Sequence, residues 1–345
     1  MKDQTGREID YMRISITDRC NLRCKYCMPG DIETTDMANL LTYEEIVKVT
    51  ETAVSLGIRH VRLTGGEPLV RRGCVDLVKK IKNISGIDTV GMTTNGVLLA
   101  EHARALKEAG LDSVNVSLDT LDETEFQRLT GRDELKAVLA GIDAAKEVKI
   151  PVKINTVHYQ HLDWKSILDY TNRMQIPVRF IEMMPIGYGA AYTSDSNEEL
   201  FRQIEESYGS ASEAGTVRNR ESEKKSADIP DLLCAEEKQQ AKKYGAGPAV
   251  YYRFPGLKMD VGFISAMQHK FCRSCNRIRL TSEGYLKLCL CYEKGVDLRA
   301  VLRNPEKGQA LQEVMKKAIL EKPVEHCFEQ ISEMTEHKAM VRIGG

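Results

Sequence analysis

An α/β fold is predicted for this 345-residue chain: an incomplete (β/α)6 barrel of the TIM type followed by a C-terminal α+β extension. Two observations carry that expectation. Between residues 11 and 185 short β-rich runs alternate with amphipathic helical stretches, and repeated β–α units imply parallel strands joined by right-handed crossovers. The motifs with chemical content fall just after predicted strands, where barrels of this kind carry their chemistry. Six units are too few to close an eight-stranded barrel but suffice for an open, curved one.

The strands are expected at 12–16, 60–63, 89–92, 113–117, 152–157 and 178–181, and the intervening helices at 43–56, 74–83, 101–109, 135–148 and 164–174. This barrel occupies residues 1–210. The stretch 211–247 is Ser- and Glu-rich, mixed in charge and poor in large apolar residues, and it ends in Gly-Ala-Gly-Pro. It reads as a charged linker or surface excursion. Residues 248–345 form a C-terminal domain with strands at 249–254, 259–264 and 277–281, helices at 297–303 and 309–320, and a Gly-Gly end.

Composition narrows the function. A net charge of −1 offers no global basic field for nucleic acid or an anionic membrane, so an anionic ligand needs a local group of Arg and Lys. The polar N-terminus has no apolar signal core and no run is long enough to span a bilayer, which predicts a cytoplasmic protein without a membrane partner. Ten cysteines in a reducing compartment are expected to be ligands or inert core residues rather than a disulfide framework.

Cys20, Cys24 and Cys27 are spaced C-x3-C-x2-C. Three thiolates on one short loop cannot saturate a tetrahedral zinc ion, but they can hold three irons of a cubane and leave the fourth open to a small molecule. Cys272, Cys275 and Cys289 form a second group, C-x2-C-x13-C. There Cys291 would supply a fourth thiolate, so spacing alone leaves zinc and a cluster equally good. Cys74, Cys234 and Cys327 are scattered. Thr64-Gly65-Gly66-Glu67-Pro68 follows a predicted strand, and its glycines allow backbone to approach a ligand closely.

The first triplet, with Tyr26 before its last cysteine, resembles the signature of the radical S-adenosylmethionine superfamily. Joined to the second triplet, the resemblance narrows to the family of GTP-cyclising enzymes that begin molybdenum cofactor biosynthesis, and it runs along nearly the whole chain. Thr93-Thr94-Asn95-Gly96, Ser117-Leu118-Asp119 and the closing Gly344-Gly345 belong to it. The resemblance implies two [4Fe-4S] clusters, one per triplet, and S-adenosyl-L-methionine bound near Tyr26, Gly66, Ser117 and Met184. Reductive cleavage of the sulfonium would give a 5′-deoxyadenosyl radical that removes the 3′ hydrogen of GTP, and C3′ would then join C8 of guanine. Arg13, Arg62, Thr93, Lys153, Arg277 and Arg279 are implied as GTP ligands, since a triphosphate in a dry cavity needs several cations. Arg277, Gly344 and Gly345 are implied to support catalysis. The expected partners are a flavodoxin- or ferredoxin-type reductant and a downstream cyclic pyranopterin monophosphate synthase, with homodimerisation left open. Cys291 stands where the family commonly has Phe. The rival readings are a two-cluster radical enzyme that modifies peptides and, from a different class, a zinc-ribbon module contacting RNA through Arg277 and Arg279.

Overall fold

The computed structural model describes residues 1–30, 34–192, 196–214, 245, 247–267, 270–304 and 310–344. The first six strands are β1 (Tyr11–Ser15), β2 (His60–Thr64), β3 (Thr89–Thr94), β4 (Ser113–Ser117), β5 (Val152–His158) and β6 (Val178–Glu182). They alternate with α1 (Tyr43–Ser55), α2 (Cys74–Lys82), α3 (Leu99–Glu108), α4 (Glu123–Thr130), α5 (Leu135–Glu147) and α6 (Trp164–Met174). After β6 come α7 (Asn197–Tyr208), β7 (Ser212–Glu213), β8 (Val250–Arg253), β9 (Val261–Ile264), β10 (Arg277–Leu280), β11 (Tyr285–Lys287), β12 (Gly295–Asp297), α8 (Leu298–Leu302) and α9 (Leu311–Leu320).

Among the described residues the strands make one sheet in the order β12-β11-β10-β1-β2-β3-β4-β5-β6-β9-β8-β7. The six β–α units form its centre, and the C-terminal stretch adds strands to both edges. β9 joins β6 and β10 joins β1, each in parallel, so eight successive strands share one direction. Consecutive in the chain, β9 and β10 thus stand at opposite ends of the parallel array. Residues 322–344 supply wall to the space between them, with Lys322, His326, Phe328, Met340 and Val341 facing the central cavity.

The helices start where local chemistry favours it. Thr42 and Glu45 form a reciprocal capping box at α1. Asp122 caps α4, which sequence reading missed, and Gly131 ends it in the left-handed region at φ 70°. β11 and β12, also missed, are three residues each and pair antiparallel beyond β10.

Parallel strands covered on both faces usually read as continuous apolar runs. These do not. In β5 Val152, Ile154 and Thr156 are buried, while Lys153, Asn155 and Val157 alternate with them facing the other way. Met12, Ile14, Leu63, Met92, Val114, Val116 and Ile154 are 0% exposed in the layer under the helices. The opposite face of the same strands carries Arg13, Arg62, Asn115, Lys153 and Arg179. The barrel has an apolar coat and a polar, cationic lumen. Most of the 211–247 stretch lies outside the described residues, as does Gly345.

Candidate active site

The loop after β1 carries the first triplet. Cys27 and Met28 donate their backbone N–H groups to the Cys24 carbonyl at 3.0 and 2.8 Å, closing a turn that gathers the three thiols. Leu22 N–H reaches Cys20 Sγ at 3.4 Å, Asn95 Nδ2 reaches it at 3.7 Å, and the Val341 N–H bonds Cys27. Burial pushes Cys20 up, and burial with Cys27, Asp119 and Cys20 pushes Cys24 up further. Burial and Cys20 raise Cys27 to about 12. Thiols held protonated in this way become stable thiolates once bonded to iron, and N–H donors to sulfur are what a cluster ligand takes. The loop therefore fits an iron–sulfur group.

Gly65 and Gly66 pack against this loop rather than simply opening space for a ligand. Gly66 N–H bonds Thr17 O at 2.7 Å and Glu67 N–H bonds Arg19 O at 2.8 Å. A Cβ on Gly66 would stand 2.4 Å from Arg19 O and 2.8 Å from Asp18 O. Glu67 is 0% exposed and anchors the edge by accepting from Leu69 N–H, Thr94 Oγ1 and Asn95 N–H at 3.0, 2.7 and 2.7 Å. Tyr26 donates to Asp119 Oδ2 at 2.5 Å, and Asp119 Oδ1 accepts from Val157 N–H.

The second triplet lies at the other end of the strands. β1 and β10 run parallel with Tyr11 opposite Arg277, so Cys272 and Cys275, just before β10, sit at its N-terminal end. β11 returns antiparallel and delivers Cys289 to the same end. Burial tends to raise the Cys275 thiol, but Arg277 and Lys322 beside it prevail and lower it to about 6. Backbone N–H of His326 reaches Cys272 Sγ at 3.4 Å. Two buried cations that sequence reading missed tie this region together. Arg7, paired with Asp3, donates to the carbonyls of Cys272, Val324 and Pro323 at 2.9, 2.8 and 2.7 Å. Lys322 Nζ donates to the carbonyls of Arg277 and Leu288. Among the described residues no three His, Cys, Asp or Glu side chains close on a single point as one ion would require. The thiols of each triplet instead border a shared cavity.

That cavity has a volume of about 330 Å³, within the range of small-molecule sites. All six triplet cysteines line it, as do Tyr26, Gly66, Ser117 and Met184. Of the six residues expected on the nucleotide, Arg13, Thr93, Arg277 and Arg279 also line it. Arg62 and Lys153 do not; they lie in the lumen beside it. Arg62 donates to Tyr11 Oη at 2.8 Å and Met92 O at 2.9 Å. Arg279, Arg13 and Arg62 stand side by side on β10, β1 and β2. Arg179, another residue missed from the sequence, pairs with Asn155 in register, is 7% exposed, and leaves Nε and Nη2 without hydrogen-bond partners.

Burial lowers Lys153 to about 7, with Arg179 and Arg62 adding repulsion. Burial and Arg277 lower Arg279 to about 10. Arginine does not give up its proton in proteins, so these shifts describe a charged lumen under strain. A polyanion would relieve it. Thr93 Oγ1 and Arg279 Nη1 are buried polar atoms without hydrogen-bond partners. Gly344 stands outside the cavity wall, where a Cβ would lie 3.5 Å from Ser15 Cβ, and among the described tail residues Met340 and Val341 face inward.

Residues 14–174, from β1 through α6, match the Radical SAM superfamily, the class that this barrel and its first cysteine loop define. Residues 212–328 match Molybdenum Cofactor Synthesis C. A GTP 3′,8-cyclase of Clostridium perfringens (strain SM101 / Type A) is 42% identical over 349 residues, covering 100% of both chains. That of Alkaliphilus oremlandii (strain OhILAs) is 41% identical over 354 residues, again covering 100% of both. The chain belongs to the GTP 3′,8-cyclase family. Among solved structures, Streptococcus suis SuiB bound to precursor peptide SuiA superposes with a TM-score of 0.61, covering 98% of this chain and 70% of that one. At 13% identity this likeness shows the fold alone.

Proposed function

We propose that this chain is a radical S-adenosylmethionine enzyme that converts GTP to (8S)-3′,8-cyclo-7,8-dihydroguanosine 5′-triphosphate, the first step of molybdenum cofactor biosynthesis. The observation that carries the reading is that both cysteine triplets open onto one cavity walled by arginines, in a chain that matches GTP 3′,8-cyclases from end to end. Two [4Fe-4S] clusters and S-adenosyl-L-methionine would supply a 5′-deoxyadenosyl radical at the first triplet and an open iron for guanine at the second.

The chain's own residues bind, orient and exclude water. Arg13 and Arg279 in the cavity wall hold the triphosphate, and Arg62, Lys153 and Arg179 in the lumen beside it add positive potential, because several cations in a low-dielectric lumen are favourable only with a polyanion between them. Arg277 and Thr93 orient the nucleoside. Tyr26, Gly66, Ser117 and Met184 surround S-adenosylmethionine. The tail segment with Met340 and Val341 walls the lumen, which shields a radical from solvent. Gly344 and Gly345 act through that segment.

The reductant is of flavodoxin or ferredoxin type, the product passes to cyclic pyranopterin monophosphate synthase, and the protein works in the cytoplasm. Among the described residues no helix is long and apolar enough to cross a membrane. The peptide-modifying rival retains only the fold likeness to SuiB.

The test is anaerobic turnover of the iron-reconstituted chain with S-adenosylmethionine, dithionite and GTP, followed by mass spectrometry. Deoxyadenosine that depends on GTP, with an isomer of GTP as product, is expected. Deoxyadenosine with unchanged GTP would overturn the substrate, and no cleavage by protein carrying intact clusters would overturn the radical chemistry.

A further inference from the structure

Cys291 is two residues beyond the second-triplet ligand Cys289, yet its thiol takes no part in that site. Cys289 and Leu290 line the cavity; Cys291 does not and is 0% exposed. Its Sγ lies 3.1 Å from Sγ of Cys327, which is 36 residues away in sequence and 8% exposed. Cys327 N–H also donates to Cys291 Sγ, at 3.2 Å. Ile186, Phe328, Met334 and Ile343 pack around the two sulfurs. Non-bonded carbon atoms pack best at roughly 3.5–4.0 Å, so two larger sulfurs at 3.1 Å are already pressed together. A disulfide requires about 2.05 Å, hence a closure of about 1 Å.

We propose that Cys291 and Cys327 form a reversible disulfide, a modification site beside the second triplet that the cyclisation itself does not use. The oxidant is a low-molecular-weight disulfide of the glutathione type. Two S–H bonds break and one S–S bond forms between the chain's sulfurs; two electrons and two protons pass to the oxidant, whose own S–S bond breaks to give two thiols. Because His326 and Phe328 on either side of Cys327 line the cavity, a local opening of that wall gives the oxidant its path. The bond straps the loop carrying Cys289 to the segment whose His326 N–H holds Cys272 Sγ. It therefore ties together the two parts of the second site that otherwise meet only through non-covalent contacts and metal.

The test exposes the cluster-loaded chain to glutathione disulfide without oxygen, quenches in acid, blocks remaining thiols under denaturing conditions and maps the peptides. A peptide pair joined through Cys291 and Cys327, lighter by two hydrogen atoms and separated again by dithiothreitol, is expected. In C327A the joined pair is absent and Cys291 is recovered blocked or as a glutathione adduct; C291A gives the mirror result at Cys327. Free thiols at both positions after exposure, or Cys291 joined to Cys289 or Cys275, would overturn the proposal. The wild-type map decides even if neither variant folds.

Discussion

Gly66→Ala tests whether the Gly-Gly edge serves the cluster loop or only the ligand. The added Cβ would meet Arg19 O at 2.4 Å, Arg19 C at 2.6 Å and Asp18 O at 2.8 Å. All three are backbone atoms, so no side chain can rotate away, and the loop must retreat by about 1 Å to reach ordinary contact distance. Overpacking of this kind costs about 1–3 kcal/mol. The retreat also stretches Gly66 N–H to Thr17 O and Glu67 N–H to Arg19 O, each worth about 0.5–1.5 kcal/mol. The sum, about 2–6 kcal/mol, is below or comparable to the stability of an ordinary domain, about 5–15 kcal/mol. The variant should fold with a lowered unfolding midpoint and a displaced Cys20 loop. Two loaded clusters hold about eight irons per chain; the variant is expected to retain about four, those of the second triplet, which lies at the far end of the strands. Iron analysis with electron paramagnetic resonance on the anaerobic protein reads this directly. Full iron content with an unchanged unfolding midpoint would refute the steric argument.

Replacing Arg7 by Met leaves Asp3 buried without its partner and frees the Cys272 carbonyl, so a loss of about 3–5 kcal/mol is expected; the D3N/R7M pair should recover part of it in urea unfolding. Arg179→Met should weaken GTP binding by roughly 10–100-fold, the worth of a charge-assisted hydrogen bond, and leave S-adenosylmethionine binding unchanged in anaerobic calorimetry. Unaltered GTP affinity would remove Arg179 from the phosphate site. Lys153 gives a pH signature. Its folded pKa of about 7 lies below its ordinary value, first through burial and then through Arg179 and Arg62. Between about pH 7 and the ordinary lysine value the unfolded chain binds the extra proton, so this residue makes stability rise with pH across that window; K153M should flatten the slope. GTP binding above pH 7 should take up a proton as phosphate stabilises the ammonium, seen as a dependence of binding heat on the buffer's ionisation enthalpy.

The six β–α units were legible because each strand and helix has its own period, and the cysteine spacings were legible because a ligand loop is local. The shape of the lumen was less so, although its signal was present. Met12-Arg13-Ile14-Ser15, Val152-Lys153-Ile154-Asn155 and Val178-Arg179-Phe180 alternate with period 2 where a parallel strand would ordinarily be apolar throughout. Following that alternation along β6 would have found Arg179. Arg7 and Lys322 had no such signal. Each acts through backbone carbonyls brought near by the chain's return, and contacts across 34 to 317 residues leave no mark on neighbouring letters. The Cys291–Cys327 pair has the same character: one cysteine stands where the family commonly has Phe, the other is scattered, and only the fold brings them together.

The strand register also determines what a lumen with a triplet at each end can do. The first triplet follows the C-terminal end of β1 and the second precedes the N-terminal end of its parallel neighbour β10, so they are separated by about one strand length, roughly 15 Å for five residues. A ligand touching both ends must be elongated, and a triplet at one end alone would leave it free to pivot. With the cations placed between, on β10, β1, β2, β5 and β6, a nucleotide bound as proposed would be constrained along its length rather than at a point. Reaction between two of its own atoms needs that restraint, because the rate gain from holding reacting atoms in line depends on freezing rotation as well as position. It also explains why the open side of the barrel is walled by the C-terminal segment: a lumen addressed from both ends cannot use either end as its only lid.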